Sequence, residues 1–405
     1  MLSQQTIDLV QSTVPLLEKH RKEVAKRFYK RMFSKHPELL NIFNHTHQKI
    51  GRQQQALADA VYVAAKNLNN LEVIMPVVKH VAEKHRSIGV VPEQYPIVGE
   101  NLLAAMRDVM GEAATDDVMA AWEEAYGVIA DVFITVEKEM YAEAENREGG
   151  WRGYRPFVVN QKVKESDVIT SFYLRPKDDQ PIASFKPGQF ISIKAHIEGE
   201  EYTHIRQYSL SDAPGKDYYR ISVKREDECE ATPAGIVSNY MHYHVEEGDD
   251  VFLTVPAGDF YLDVTSSRPV LLIAGGVGLT PLMSMFNTLI EQYPSREVYF
   301  IQAARNGQVH AMRDYVMDMV KKHPHVHAYV VYSSPTDEDR KQKRFDQEGY
   351  VEKETLQTFL PNRDVDVYFV GPTPFMEHVF HLLTELGIAR EQINYEFFGP
   401  GGTLG

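Results

Sequence analysis

Along the first 143 residues apolar positions return every three or four places, the period of helices packed by one face. Val24, Phe28 and Met32 fall at i, i+4 and i+8, with Tyr29 and Phe33 beside them. This predicts a helix that Ser3 or Thr6 caps and that His36-Pro37 ends, because a residue before proline avoids helical backbone. Leu39, Leu40, Ile42 and Phe43 predict a further turn of helix, and Gln53, Leu57 and Val61 share one face of the next. Another periodic segment closes on Val81–Gly89, which puts His85 just before a glycine and a turn. Tyr95 stands between Pro92 and Pro96 at the start of the following helix, on a face with Val98, Leu102 and Met106. In the last helix Trp122, Tyr126, Ile129 and Phe133 form a stripe that Glu137 continues. Either the helix emerges into water at Glu137, or a carboxylate is buried there and must be paired.

The period then changes. The charged stretch Tyr141–Trp151, with Gly149-Gly150, ends the helical pattern, and short alternating runs begin near Arg155. Runs starting at Phe157, Val168, Phe190, Tyr219 and Val251, with Arg206–Leu210 between them, predict short strands closing into an antiparallel barrel. From Pro269 buried strands alternate with helices: the runs at Val270, Val298, Val326 and Val365 predict a parallel, doubly wound sheet, and Tyr395–Pro400 a terminal aromatic strand. The expected organisation is multidomain: an all-α domain over 1–143, a linker over 144–154, a β-barrel over 155–265 and an α/β domain over 266–405.

Composition narrows the class. Lys and Arg number 43 against 57 Asp and Glu, a net charge of −14, which argues against nucleic acid or an anionic membrane as partner. The single Cys229 forms no internal disulfide, and no zinc or iron–sulfur spacing exists. The first residues lack a basic region and apolar core, and no apolar run is long enough to span a bilayer, so a cytoplasmic protein is expected. With no coiled coil or repeat, a monomer is expected.

Candidate chemistry sits in three places. A neutral imidazole at a helix end ligates iron if its other nitrogen is held by a partner, although a lone histidine there is more often a surface or capping residue. On the strand Arg206-Gln207-Tyr208-Ser209, alternation puts Arg206 and Tyr208 on one face, where a guanidinium suits a pyrophosphate and a phenol ring suits a planar ring system. Gly235-Ile236-Val237-Ser238 opens a helix and offers N–H groups and a hydroxyl to a phosphate. Gly275-Gly276-Val277-Gly278-Leu279-Thr280-Pro281 follows a buried strand; its glycines admit a pyrophosphate or serve close packing, Thr280 can cap the helix, and Pro281 suits its first turn. Gly371-Pro372-Thr373-Pro374 starts a helix at the carboxyl end of a strand, where such sheets bind ligands. Arg305 reads equally as a phosphate or ribose contact and as a solvent-exposed loop residue.

The order Tyr29, Phe43, Gln53, Leu57, Lys84-His85, Tyr95, Glu137 resembles the globin domain of bacterial flavohaemoglobins. The resemblance implies that His85 ligates the iron of haem b and that Tyr95 and Glu137 hold it, with Lys84 adjoining. Phe43 would then pack on the haem, and Tyr29, with Gln53 and Leu57, would form a distal pocket in which the hydroxyl donates to dioxygen. Pro187-Gly188-Gln189-Phe190 and the two motifs after it resemble the ferredoxin–NADP reductase family. That implies FAD contacts at Arg206, Gln207, Tyr208, Ser209, Gly235, Val237 and Ser238. Many flavohaemoglobins have tyrosine where Phe190 stands; the Phe190 ring can still stack, without a hydroxyl contact. The C-terminal end, Glu396, Phe397, Phe398, Gly399 and Pro400, would lie by the flavin and the nicotinamide, with Phe397 where many members have cysteine.

Together the resemblances imply a nitric oxide dioxygenase: NAD(P)H electrons pass through FAD to haem, and dioxygen and nitric oxide leave as nitrate. No acidic residue settles NADH against NADPH, and a lipid or azole-like ligand in the haem pocket stays open. The other readings are an oxygen-binding or sensing globin with its own reductase, and a flavin, ferric or peroxide reductase.

Overall fold

Ser3 opens the first helix as the sequence predicts: its Oγ accepts the Thr6 N–H at 3.0 Å. The computed structural model describes residues 2–43, 52–229, 233–360, 362–399 and 404, with residues 52–55 as backbone only. The chain forms two compact units: residues 1–153 with 194–206 and 399–401, and the remainder.

The first unit carries α1 (Gln4–Lys35), a 3-10 turn (Pro37–Asn41), α2 (Arg52–Lys66), a second 3-10 turn (Leu71–Ile74), α3 (Met75–Ile88), α4 (Gln94–Met110) and α5 (Asp116–Asn146). No strand occurs among the described residues 2–153. His36 closes α1 ahead of Pro37, and α5 begins at Thr115, whose Oγ1 accepts the Val118 N–H at 3.3 Å. The core is made by the stripes read from the sequence, with Phe28, Met32, Leu102, Met106 and Trp122 buried. Trp122 Nε1 spends its proton on Thr13 Oγ1 at 3.0 Å, so the indole is buried without an orphan donor.

Two sheets follow along the chain. Strands β1 (Arg155–Lys164), β2 (Ile169–Pro176), β3 (Phe190–Ala195), β4 (His204–Ser209), β5 (Tyr219–Lys224) and β6 (Asp250–Leu253) run in the order β4-β3-β6-β1-β2-β5. A bridge between Leu210 and Ile221, with the Ser211 N–H donating to Arg220 O at 2.8 Å, joins the two outer strands and closes the barrel. Phe157, Phe172, Ile191, Tyr219 and Ile221 are buried. Helix α6 (Ile236–His244) follows Gly235; Lys162 Nζ donates to the His242 and Val245 carbonyls at 2.9 and 2.8 Å, a cation on the acceptor end of the helix.

The other sheet is parallel throughout, in the order β10-β9-β8-β7-β11-β12. Its elements are β7 (Val270–Gly275), a 3-10 turn (Gly276–Gly278), α7 (Leu279–Gln292), β8 (Val298–Ala304), α8 (Arg313–Lys322), β9 (Val326–Tyr332), α9 (Asp337–Gln342), β10 (Gln347–Glu348), α10 (Lys353–Phe359), β11 (Asp366–Val370), α11 (Thr373–Glu385) and β12 (Ile393–Tyr395). Alternate strand residues feed separate apolar cores on the two faces, which is why the central strands read as unbroken apolar runs. The expected terminal strand is shorter than the aromatic run. β12 pairs Tyr395 with Phe369, and β11 ends one residue later, so Glu396 to Gly399 have no ladder to join.

Asp212 fastens the barrel to the α/β sheet. Its carbonyl accepts from Ser284 Oγ and its Oδ1 from Asn287 Nδ2, both at 2.7 Å, while Oδ2 accepts from the Tyr218 hydroxyl at 2.9 Å. No helix among the described residues is long and apolar enough to cross a membrane.

Candidate functional site

Helix α3 ends where the sequence places its stop. Gly89 takes a left-handed φ of 85° and its N–H donates to His85 O at 3.0 Å. His85 therefore sits in the last turn with one third of its side chain exposed. Its Nδ1 donates to Glu137 Oε1 at 2.7 Å and lies 3.3 Å from the Tyr95 hydroxyl, which itself donates to the same Glu137 oxygen at 2.6 Å. Glu137 is 2% exposed, so of its two sequence readings the structure takes the buried, paired one. A lone carboxylate so placed would cost several kcal/mol; two donors on one oxygen offset that. Burial and the neighbouring carboxylate push the Tyr95 phenol far above its ordinary value, so it remains a donor throughout the working range. With Nδ1 occupied as a donor, the lone pair of neutral His85 is on Nε2, the nitrogen that an iron would take.

Two further tyrosines, given no role from the sequence, hold this arrangement. Tyr126 OH donates to the Tyr95 carbonyl at 2.7 Å, its ring lying where a Cβ on Gly99 would meet it at 2.5 Å. Tyr141 OH donates to Val90 O at 2.8 Å, and burial pushes its phenol up to about 12. Tyr126, Phe133, Glu137 and Tyr141 lie on one stripe of α5, so extending that stripe by one turn beyond Glu137 would have found Tyr141.

Tyr29 is 6% exposed in an aromatic cluster, with ring centroids 4.7 Å from Phe28, 5.7 Å from Phe33 and 5.9 Å from Phe43. Leu57 packs on the same core. The side chain of Gln53 and all of Pro400 lie outside the described residues. Lys84 Nζ donates to the Gly399 carbonyl at 3.3 Å.

In the barrel, Arg206 and Tyr208 are half-buried on β4, while Gln207 is exposed and Ser209, which alternation assigns to the same face as Gln207, is buried. Phe190 is 6% exposed, and its ring packs where a Cβ on Gly258 would approach at 2.9 Å. The Ser238 hydroxyl accepts the Glu226 N–H and donates to Gly235 O, both at 3.2 Å, so it ties the start of α6 to the segment that follows β5. Val237 is buried, which leaves its backbone N–H as the group to meet a phosphate.

The glycine turn divides its two sequence readings among its members. Gly276 has φ 55° and open space where a Cβ would stand, the geometry of close backbone approach. Gly278 is needed for packing, since a Cβ there would fall on the Val370 carbonyl. Gly275 faces the ring of Phe375, 2.8 Å from where its Cβ would be. Val277 is half-buried, and Leu279, Thr280 and Pro281 are buried. Thr280 does not cap α7: it lies inside the helix, and its hydroxyl donates to Val277 O at 3.1 Å. Phe375, which no local pattern marks, packs over the ends of β7 and β11, its ring 2.8 Å from where a Cβ on Gly275 would stand and closer still to one on Gly371. Arg305 is exposed, Glu396 and Phe397 are half-buried, and Phe398 is 42% exposed.

A helical unit that presents one nitrogen of a carboxylate-held imidazole has what a haem requires. A barrel with an Arg–Tyr strand, fastened to a parallel sheet with an open glycine turn, has what FAD and a nicotinamide nucleotide require. The two in one chain define a globin–reductase, an NAD(P)H-dependent oxidoreductase with haem and FAD. Comparison with known proteins agrees: residues 26–133 match the globin family, 156–261 the oxidoreductase FAD-binding domain and 272–381 the oxidoreductase NAD-binding domain. The "Flavohemoprotein" of Bacillus thuringiensis subsp. konkukian is 58% identical over 404 residues, all of both chains. The flavohemoglobin of Malassezia yamatoensis, solved with bound FAD and heme, superposes with a TM-score of 0.82 at 26% identity, covering 98% of this chain and 100% of that one. The FAD/NAD-binding domain of the nitric oxide dioxygenase of Vibrio cholerae covers 63% of this chain and 100% of that one, with a TM-score of 0.55 and 36% identity. The chain belongs to the flavohaemoproteins.

Proposed function

We propose that this flavohaemoprotein is a nitric oxide dioxygenase, joining nitric oxide, dioxygen and one electron into nitrate. The observation that carries the reading is the buried Glu137 oxygen that takes both the His85 Nδ1 proton and the Tyr95 hydroxyl. A carboxylate acceptor makes the imidazole a stronger donor to iron, which favours chemistry on dioxygen over its storage. When bound, FAD divides the hydride's electron pair into single electrons and haem supplies the place where dioxygen is held and reduced.

The chain's own residues do the rest. His85 would hold the haem iron through Nε2, its ring orientation fixed at Nδ1 by Glu137. Tyr29, buried in its aromatic cluster, would donate its hydroxyl to dioxygen, and a donor shielded from water is worth more than one in it. Phe43 would pack on the haem, and Leu57 would add to the apolar lining of the distal pocket. Arg206, Tyr208, Ser209 and the start of α6 would hold FAD, with Arg206 neutralising its pyrophosphate. The turn at Gly276, with open space at its Cβ position, would admit the nicotinamide nucleotide's phosphates, and Glu396 and Phe398 would lie by the flavin and the nicotinamide.

The test compares wild type with Tyr29→Phe for NADH-dependent nitric oxide consumption and for reduction of a dye by the flavin. Loss of nitrate formation with dye reduction retained is expected. Equal loss of both, or nitrite as the sole product, would overturn the reading.

A further inference from the structure

Asn41 ends the 3-10 turn after α1, two residues ahead of Phe43. Its Nδ2 donates to Glu38 O at 2.9 Å, which fixes the amide within the turn and leaves Oδ1 as an acceptor. That oxygen accepts the Thr203 N–H at 2.9 Å and the Thr203 hydroxyl at 3.2 Å, and the same hydroxyl lies 3.2 Å from Asn41 O. The turn is itself seated in the helical core. Leu39 is 4% exposed, and the Ile42 and Phe43 N–H groups donate to Leu39 O at 2.9 and 3.3 Å. The Phe43 ring centroid lies 5.3 Å from that of Phe33 and 5.9 Å from that of Tyr29.

Thr203 stands immediately before β4 and three residues before Arg206. It belongs to the first compact unit, which takes in residues 194–206. At about 3.3 Å per residue, Thr203 is roughly 10 Å along the chain from Arg206 and roughly 17 Å from Tyr208. The tie therefore joins two short runs of chain, one to the residue assigned to the haem and one to the residues assigned to FAD. Neither α1 nor β4 needs Asn41 in order to form: α1 has its own cap and apolar stripe, and β4 pairs with β3. Neutral hydrogen bonds of this kind add little net stability. An amide that grips both the N–H and the hydroxyl of one residue sets a position.

We infer that Asn41 is a positioning residue for electron delivery: through Thr203 it holds the start of the flavin strand on the turn that carries Phe43. The inference rests on the reading that places haem by Phe43 and FAD on β4, and not on nitric oxide as the substrate. In the step concerned, one electron leaves reduced FAD and turns ferric haem ferrous. NADH supplies two electrons as a hydride, and two such steps return oxidised FAD and release the hydride's proton to water. Transfer between two groups weakens steeply as the gap between them widens. A misplacement of about 1 Å, caused by a residue that touches neither group, can cost ~100-fold in rate. Residues that hold such a geometry are themselves held by hydrogen bonds, as Asn41 is by Glu38 O.

The test uses the full chain loaded with haem and FAD. Hydrogen exchange read by mass spectrometry should find the Thr203 amide protected in the wild type and exposed in Asn41→Ala, with β1 and β2 unchanged. Mixed with NADH in the absence of oxygen, Asn41→Ala should reduce its flavin at the wild-type rate and its haem about 10- to 100-fold more slowly. Dye reduction by the flavin and carbon monoxide association with the ferrous protein should not change. Thr203→Ser, which keeps the hydroxyl, should match the wild type, and Thr203→Val should reduce its haem more slowly. Haem reduction at the wild-type rate in Asn41→Ala would overturn the role, as would an unprotected Thr203 amide in the wild type. Equal slowing of dye and haem reduction would overturn it too, because the effect would then lie in the flavin site. If Asn41→Ala does not fold, equal haem reduction in Thr203→Val and Thr203→Ser overturns it. Nitric oxide turnover enters none of these readouts: slowed haem reduction in a protein that forms no nitrate would keep the role of Asn41 and reject the dioxygenase reading.

Discussion

Glu137 Oε1 accepts from His85 Nδ1 at 2.7 Å and from Tyr95 OH at 2.6 Å, so one buried oxygen fixes both the ligand and its neighbour. Glu137→Gln keeps the shape and an oxygen acceptor but removes the charge. The imidazole becomes a weaker donor, and the haem potential should rise. Haem-dependent turnover should fall about 10- to 100-fold, the usual cost of losing a partner of a metal-bound histidine. Dye reduction by the flavin should be unchanged. The iron–histidine stretch in the resonance Raman spectrum checks the cause: it should move to lower frequency, and an unmoved stretch would contradict the role given to Glu137.

The glycine turn makes a paired prediction. Gly278→Ala puts a methyl group on the Val370 carbonyl, a backbone atom of a central strand, and should destabilise the second unit by about 3 kcal/mol or more. Gly276→Ala meets nothing within 4 Å but must hold φ 55°, at a cost of about 1–2 kcal/mol. Denaturant midpoints separate the two. Only Gly276→Ala, which folds, should show a raised KM for NADH, because its methyl group stands in the space given to the nucleotide.

His310 makes a prediction in pH. It is buried, its Nδ1 lies 3.0 Å from Tyr332 OH, and burial pushes its pKa down to about 3, helped by Arg313 and Arg344. Unfolded, the ring titrates near 6.5. Below that pH the unfolded chain binds a proton that the folded one refuses. The stabilising term is present above about 6.5 and is lost as pH falls towards about 3, at roughly 1.4 kcal/mol per pH unit. Between pH 7 and pH 5 the wild type should lose about 2 kcal/mol more than His310→Asn, measured by urea unfolding of the second unit. Equal losses would mean that His310 is protonated in the folded chain.

Much of this architecture was legible in the sequence because one period governs each region. The stripe Trp122–Phe133 and the stop at His85–Gly89 are set by residues near one another in the chain, as are the start of α6 at Gly235 and the strands of the parallel sheet. What escaped depends on residues far apart. Periodicity alone left the burial of Glu137 open, because it requires Tyr95 and His85 to arrive from two other helices, and only the resemblance implied it. The bridge from Leu210 to Ile221 that closes the barrel, and the seating of Phe375 against Gly275, are contacts that no local period encodes. Thr280 was misread for a different reason: the 3-10 turn Gly276–Gly278 moves the start of α7 ahead of it, so its hydroxyl faces a carbonyl and not the free N–H groups.

The most direct measurement of the central claim is the fate of labelled dioxygen. With NADH, nitric oxide of natural abundance and ¹⁸O₂, the protein should form nitrate that carries both atoms of the dioxygen, and should use one NADH for every two molecules of nitric oxide. Nitrate without the label, or nitrous oxide or nitrite in its place, would contradict the account.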